Sequence, residues 1–449
     1  MRRPIRIALA LAVSLLGAAL VAPMTAASSE SPSTGTEPGL RAQFDRASDE
    51  ITTLAPGLRQ PHAGLSATAT HAPLAQPSAA RAAAGTIAKA SPTVVQKVWV
   101  SVASATAKTS DDVNTGMTEA AIKKMISYVN SYWAAQSNNA VSFVFGGYET
   151  RSLGQSTCNA NATLAKEETA AFGGRFSNGS WAGTKNHLVV LTREACGAQS
   201  FATVSTDGGE IFSGNGIGAS MGEPYLLHEF GHNLGFAHAD SAICASSTSY
   251  DASIASYGFS STKCPTTEYD DYLDIMGYTV HGATPNVSSV QRILSGWMTN
   301  YASVDGGAAK RTITLMPLGA SGGTQSIVIT DPASGERYYV EYRAPIGRDK
   351  TSAEFNYQRQ CGAARSGYAI CNLGSSAKTG IIRVLRALPV GTADGTAALA
   401  LTKVSGSSVR RATSMAAGAT FTNFDRGFQV KINSLSITHG ASVTVTLSH

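Results

Sequence analysis

Charge is scarce in this 449-residue chain: Asp, Glu, Lys and Arg together make up 14 %, against about 25 % in an average soluble domain. The formal net charge is +5, and three of the positive charges, Arg2, Arg3 and Arg6, crowd the extreme N-terminus. No long run of basic residues follows, which argues against a nucleic-acid partner, because neutralising phosphates takes clustered Lys and Arg. The apolar stretch over residues 7–22 is shorter than the roughly 20 residues of a membrane span. The six cysteines contain no C-x-x-C pair, so a zinc ribbon is excluded. No internal repeat is visible.

What is present begins with a targeting device. Arg2, Arg3 and Arg6 precede the apolar stretch, and Thr25, Ala26 and Ala27 supply small residues at its end. This is the pattern of a secretory signal peptide over residues 1–27. No cysteine stands near the expected cleavage point, so no lipid can be attached there. The mature protein is therefore expected to be secreted and extracellular, with no membrane partner after cleavage. An oxidising compartment suits disulfides. Six cysteines allow 15 connectivities; the sequential one, Cys158 with Cys196, Cys244 with Cys264 and Cys361 with Cys371, keeps each pair within one expected domain.

Three regions follow. Residues 28–91 are rich in Ala, Ser, Thr and Pro with little apolar periodicity, a composition that cannot bury a core. Between a signal peptide and a folded domain such a segment is a linker or a propeptide, and a propeptide is expected. Residues 92–301 show a Val-rich run over 94–102, a helical pattern over 118–135 with Ile122, Met125, Ile126, Val129 and Trp133 on one face, and further strands at 141–145 and 187–192. That order describes an α/β layout. From 302 to 449 the texture changes to short β-runs separated by Gly, Ser and Asp, at 311–316, 326–330, 337–342, 381–385, 398–402, 428–432 and 442–447. Seven or so such strands suggest an all-β, sandwich-like domain that supports its neighbour or holds substrate. Tyr338 and Phe424 are expected in its core.

The chemistry sits in one stretch. Residues 228–238 spell HEFGHNLGFAH, with Pro224 suited to the first turn of the helix leading in. Positions 228 and 232 are one helical turn apart, so His228 and His232 point the same way, while Leu227, Phe230 and Leu234 form a separate apolar stripe. Gly235 then permits the tight reversal that brings His238 back as a third ligand. Three neutral imidazoles leave one tetrahedral position open, the arrangement of a catalytic zinc site rather than a structural one. By composition alone, five such fixed positions arise on the order of once in 100,000 chains of this kind, which sets coincidence aside.

At this point the sequence resembles the metzincin clan of zinc endopeptidases, and Asp274-Ile275-Met276-Gly277-Tyr278 looks like its Met-turn. Within the clan, Asn233-Leu234-Gly235 and the segment 289–298, with Arg292, Leu294, Gly296 and Trp297, are most similar to the gametolysin family. The reprolysin-like enzymes are the runner-up, since Ala239 separates His238 from Asp240. The resemblance implies an α/β metzincin-like catalytic domain, a twisted mixed sheet with an active-site helix, over 92–301. It implies one catalytic zinc on His228, His232 and His238, with Met276 as an apolar floor and not a ligand. It also implies an edge strand near residues 214–220 that pairs with extended substrate.

Glu229 is expected to act as general base on the water and then to deliver the proton to the leaving amine. Tyr278 stands two residues after Met276, where astacin-like and serralysin-like metzincins carry a Tyr that approaches the metal; it is expected to donate to the developing oxyanion. With no cysteine before Cys158, a cysteine-switch latency is not available to the propeptide. Asp270, Asp271 and Asp274 lack an EF-hand spacing, so calcium is not supported there and the three are expected in solvent or as caps. The function expected is a secreted zinc metalloendopeptidase acting on extracellular proteins or peptides. The alternatives are a zinc hydrolase of non-peptide amides, or an inactive binding protein, which would be expected to have lost Glu229 or a ligand.

Overall fold

Strand β1 (Val94–Ser104) is buried on both faces at nearly every position from Val98 onward, and its neighbours explain why. After it come helix α1 (Glu119–Gln136), β2 (Val141–Ser152), α2 (Ala160–Ala170), β3 (Asn186–Thr192), β4 (Ser200–Ala202), β5 (Gly209–Ser213) and α3 (Gly222–His232). The computed structural model describes residues 93–448 apart from 106–115, 180, 182–183, 195, 197–199, 205–207, 215–221, 243, 245–250, 254–263, 265, 268, 278–282, 308, 353–354, 356–361, 364–368, 371–377, 389–394, 400, 406–407 and 413–414. The expected signal peptide and propeptide, Tyr278, Cys361, Cys371 and residues 215–220 of the Gly-rich run all lie outside the described residues.

The five strands lie in the order β2-β1-β3-β5-β4. β1 runs parallel to β2 and β3, β3 parallel to β5, and only β4 is antiparallel. Parallel neighbours need a crossover, which α1 supplies between β1 and β2. The helix starts where expected: the Thr118 hydroxyl accepts from Ala121 N at 3.3 Å, and Ile122, Met125, Ile126, Val129 and Trp133 are all buried. On one sheet face Val98, Val100 and Val102 pack with α1 and α3; on the other, Leu188, Val190 and Phe212 pack with Leu164 of α2. A sheet covered on both sides needs apolar residues at successive positions, as β1 and β3 have.

The rest of the chain is mostly strand. It comprises β6 (Ala239–Ala242), β7 (Thr266–Thr267), a short helix α4 (Ser289–Leu294), β8 (Tyr301–Val304), β9 (Lys310–Leu315), β10 (Ser326–Thr330), β11 (Arg337–Arg343), β12 (Gly362–Ala363), β13 (Ala369–Ile370) and β14 (Ile381–Ala387). It continues with β15 (Thr396–Leu399), β16 (Leu401–Ser405), β17 (Ser408–Ala412), β18 (Thr420–Thr422), β19 (Phe428–Ser434) and β20 (Ala441–Leu447). All seven expected runs fall on strands, the one at 398–402 spanning the end of β15 and the start of β16.

A seven-stranded sheet, β7-β6-β15-β14-β11-β10-β8, faces a four-stranded one, β18-β19-β20-β9. Ile327, Tyr338, Val340, Ile382 and Val384 of the first share a core with Phe428, Val430, Val443 and Val445 of the second. This is sheet-on-sheet packing with alternate residues turned inward. The reverse face of the seven-stranded sheet packs Tyr339, Leu385 and Ala398 against Val290 and Ile293 of α4. Short strands β12-β13-β17-β16 form one more sheet. Tyr338 is fully buried and Phe424 half-buried.

The molecule is thus mixed α/β, with several sheets and few helices. The seven-stranded sheet takes β6 and β7 from before residue 302 and its other members from β8 onward. Cys158 is bonded to Cys196 and Cys244 to Cys264, as expected. Among the described residues, no helix is long and apolar enough to cross a membrane.

Candidate metal centre

Helix α3 carries its two functions on two faces. Leu226, Leu227, Phe230 and Leu234 sink into the core with Val98, Val100 and Ile211, leaving His228 and His232 one turn apart on another side. The end of the helix is locked by two backbone bonds: Gly235 N to His232 O at 2.9 Å and Phe236 N to Gly231 O at 3.1 Å. Gly235 sits at φ +90°, a conformation that a side chain would strain. The chain turns there and returns His238 to the other two histidines.

One ring nitrogen from each of His228, His232 and His238 lies within 4.8 Å of the others. The Nδ1 atoms of the two helical histidines are already committed. His228 Nδ1 lies 2.9 Å from Ile275 O, and His232 Nδ1 2.7 Å from Phe236 O. A carbonyl can only accept, so each Nδ1 carries the proton and donates it, and each Nε2 keeps its lone pair for a ligand. His232 Nε2 stands 3.2 Å from His238 Nε2. Two nitrogens held 2.0–2.1 Å from one tetrahedral ion are about 3.3 Å apart, so the donor set fits such an ion. Burial, then repulsion from His228 and His238, holds His232 well below its ordinary pKa and keeps it neutral.

His228 and His232 are buried and His238 is half-buried, so the third histidine marks the open side. Glu229, also buried, has its Oε2 without a hydrogen-bond partner among the described residues, and burial pushes its carboxyl well above the usual range. A second grouping, Cys158, Glu194 and Cys196, is not a rival metal site, because its two sulfurs are joined in a disulfide.

The segment 274–277 is laced to this cluster. Ile275 O takes the His228 proton, and Met276 O accepts from Ala239 N at 2.9 Å, next to His238. Fully buried Met276 lies against α3 at Gly231, where a Cβ would come within 2.2 Å of the Met276 sulfur. Asp274 shapes the turn from inside: its carboxylate accepts from Met276 N at 2.9 Å and from Ser288 N at 2.7 Å. Burial and the neighbouring Asp271 push it up to about 7.

The expectation for the acidic run needs correcting in part. Asp274 does cap, but Asp270, Asp271 and Asp274 are all buried rather than solvated. Asp270 accepts from the Ser241 hydroxyl at 2.8 Å, and Asp271 pairs with Arg383 at 2.5 Å. Packing of β6 and β14 over the segment removes the water that composition alone suggested.

Other contributions escape sequence reasoning: the place of Tyr269, and the contacts of Asn233, which the sequence marks only by resemblance. The Tyr269 ring lies 3.8 Å from that of His238 and 5.8 Å from that of His228, with its backbone at φ +60°. Nothing in the local pattern marks it; a non-glycine residue in the left-handed region signals a constrained position only once seen. Asn233, directly after the second histidine, gives its Nδ2 proton to Thr203 O at 2.7 Å and accepts at Oδ1 from His187 Nδ1, 2.9 Å away. The other His187 nitrogen is 2.9 Å from the Gln96 amide. Burial lowers His187 to about 4, so it is neutral at neutral pH. Gly209 makes room for Asn233, since a Cβ there would meet its Cγ at 2.3 Å. No family model matches the chain, and no curated protein matches its sequence.

Proposed function

We propose that the chain is a secreted zinc-dependent endopeptidase of metzincin type, most like the gametolysin family, made with a signal peptide and a propeptide that is removed. One observation carries the reading. Two helical histidines have their Nδ1 protons bound to carbonyls, a third histidine faces them from beyond a glycine turn, and the next residue after the first is a buried glutamate with one oxygen unpartnered among the described residues. The bare donor set supports a metal; the neighbouring Glu229 supports catalysis.

His228, His232 and His238 would hold the ion, the first two through the Nε2 atoms that their Nδ1–carbonyl bonds leave free. A zinc ion held there would supply Lewis acidity, bringing the pKa of a water toward about 7 and polarising the substrate carbonyl. Glu229 takes the proton from the attacking water at its carboxylate and delivers it to the amine nitrogen as the carbon–nitrogen bond breaks. Its burial keeps competing water away and leaves an oxygen free for that proton. Tyr278 is the candidate donor to the oxyanion, and Tyr278→Phe is expected to lower turnover about a hundredfold with metal content unchanged.

The decisive experiment is metal analysis joined to a casein assay. Wild type is expected to carry one zinc per chain and to cleave denatured protein; Glu229→Gln is expected to keep the zinc and lose turnover, because Glu229 is not a ligand. A wild type without zinc, or a fully active Glu229→Gln, ends the proposal.

A further inference from the structure

His238 is the one histidine of the three that α3 does not carry, so something else must fix it. Its carbonyl accepts from Thr396 N at 3.2 Å, the first rung of the parallel pairing between β6 and β15. The next residue, Ala239, is tied on its other side: its N donates to Met276 O at 2.9 Å and its O accepts from Asp271 N at 3.2 Å. Behind His238 stands Tyr269, whose N donates to Asp240 Oδ1 at 3.2 Å. Residues 269–271 therefore form the wall against which the third histidine rests.

That wall is anchored from the far end of the chain. Asp271 Oδ1 accepts from Arg383 Nη1 of β14 at 2.5 Å and from Leu273 N at 3.0 Å. Arg383 Nη2 lies 3.0 Å from Glu341 Oε1, and Arg343 Nε donates to the same oxygen at 2.7 Å. Glu341 Oε2 accepts from Ser289 N at 2.8 Å. Asp271, Glu341, Arg343 and Arg383 are all buried. The fit of the wall is close: a Cβ on Gly277 would lie 1.9 Å from Asp271 O. Buried ion pairs add little net stability, since desolvation offsets their attraction, but a charged fork with two carboxylates in reach fixes geometry.

We propose that Arg383 is a positioning residue for the third metal ligand. It acts through Asp271, which sets the Ala239 main chain and hence His238, so that the β-rich region completes the metal centre. This rests on the proposed metal-binding role of the three histidines and goes beyond it.

The test measures metal affinity rather than peptidase activity. Zinc binding by the full-length protein is followed by chelator competition, and the visible absorption of Co2+ reports ligand number. Asp271→Asn, which is isosteric and leaves Arg383 paired with Glu341, is expected to weaken zinc about tenfold and to dim the Co2+ band. Adding Arg383→Met to Asp271→Asn is expected to weaken zinc no further, because the path is already cut; a purely structural role predicts losses that accumulate. Arg383→Lys, which keeps the charge but not the fork, is expected to fall between wild type and Asp271→Asn, and it serves if Asp271→Asn does not fold. Wild-type affinity in Asp271→Asn or in Arg383→Lys, or additive losses in the double variant, overturns the inference while leaving the proposed function standing. A wild type that takes up no metal overturns both.

Discussion

His187 shows how one buried side chain can couple the helix that carries His228 and His232 to acid. Its ring spans Asn233 and the Gln96 amide with no solvent contact, and burial depresses its pKa from 6.5 to about 4. Folding thus favours the neutral ring, and the stability it contributes is full above about pH 6.5 and lost as pH falls through 4. Across that window the loss amounts to roughly 3 kcal/mol. His187→Gln, which cannot charge, is expected to flatten the dependence of the denaturant midpoint on pH between 7 and 4; an unchanged slope would show that other groups govern it. At this scale His228, Glu229 and His232 were legible because their spacing along one helix turn is itself the geometry, and His238 because Gly235 marks the reversal that returns it. Tyr269, Arg383 and the partners of Asn233 were not, because each contact spans a distance in sequence that carries no periodic mark.

Gly231 makes the same point for α3 as an element. Alanine in a helix interior is ordinarily favourable by up to about 1 kcal/mol over glycine. Here a Cβ would fall 2.2 Å from the Met276 sulfur and 3.1 Å from the Trp133 ring, both fully buried. The collision outweighs propensity, and Gly231→Ala is expected to destabilise by about 1–3 kcal/mol. In a Met276→Ala background the penalty should shrink, which thermal melts on the four proteins of the cycle will read; strict additivity would refute the contact. Elements with a strong stripe, α1 above all, were visible in the sequence to within a residue. α2 was missed: it buries only Ala160, Thr163, Leu164 and Glu167, too thin and too polar a stripe for periodicity to detect. β4 and β5 were missed because three and five residues scarcely repeat a pattern.

On the scale of the molecule, composition marks a change of texture near residue 302, yet hydrogen bonding does not stop there. β6 lies between β7 and β15, and Arg383 reaches Asp271 across the same line. The stretches before and after 302 are therefore expected to unfold together: one calorimetric transition with equal calorimetric and van't Hoff enthalpies, shared by tryptophan fluorescence and far-ultraviolet dichroism. Two separated transitions would contradict this. The short rung between Thr396 and the His238 carbonyl also has a meaning in time. A chain emerging from the ribosome presents all three histidines long before β15 exists to pair with β6. Joining the two requires closure of a loop more than 150 residues long, a slow, non-local event. Until that late strand arrives the centre lacks its final brace, so the growing chain carries its own delay.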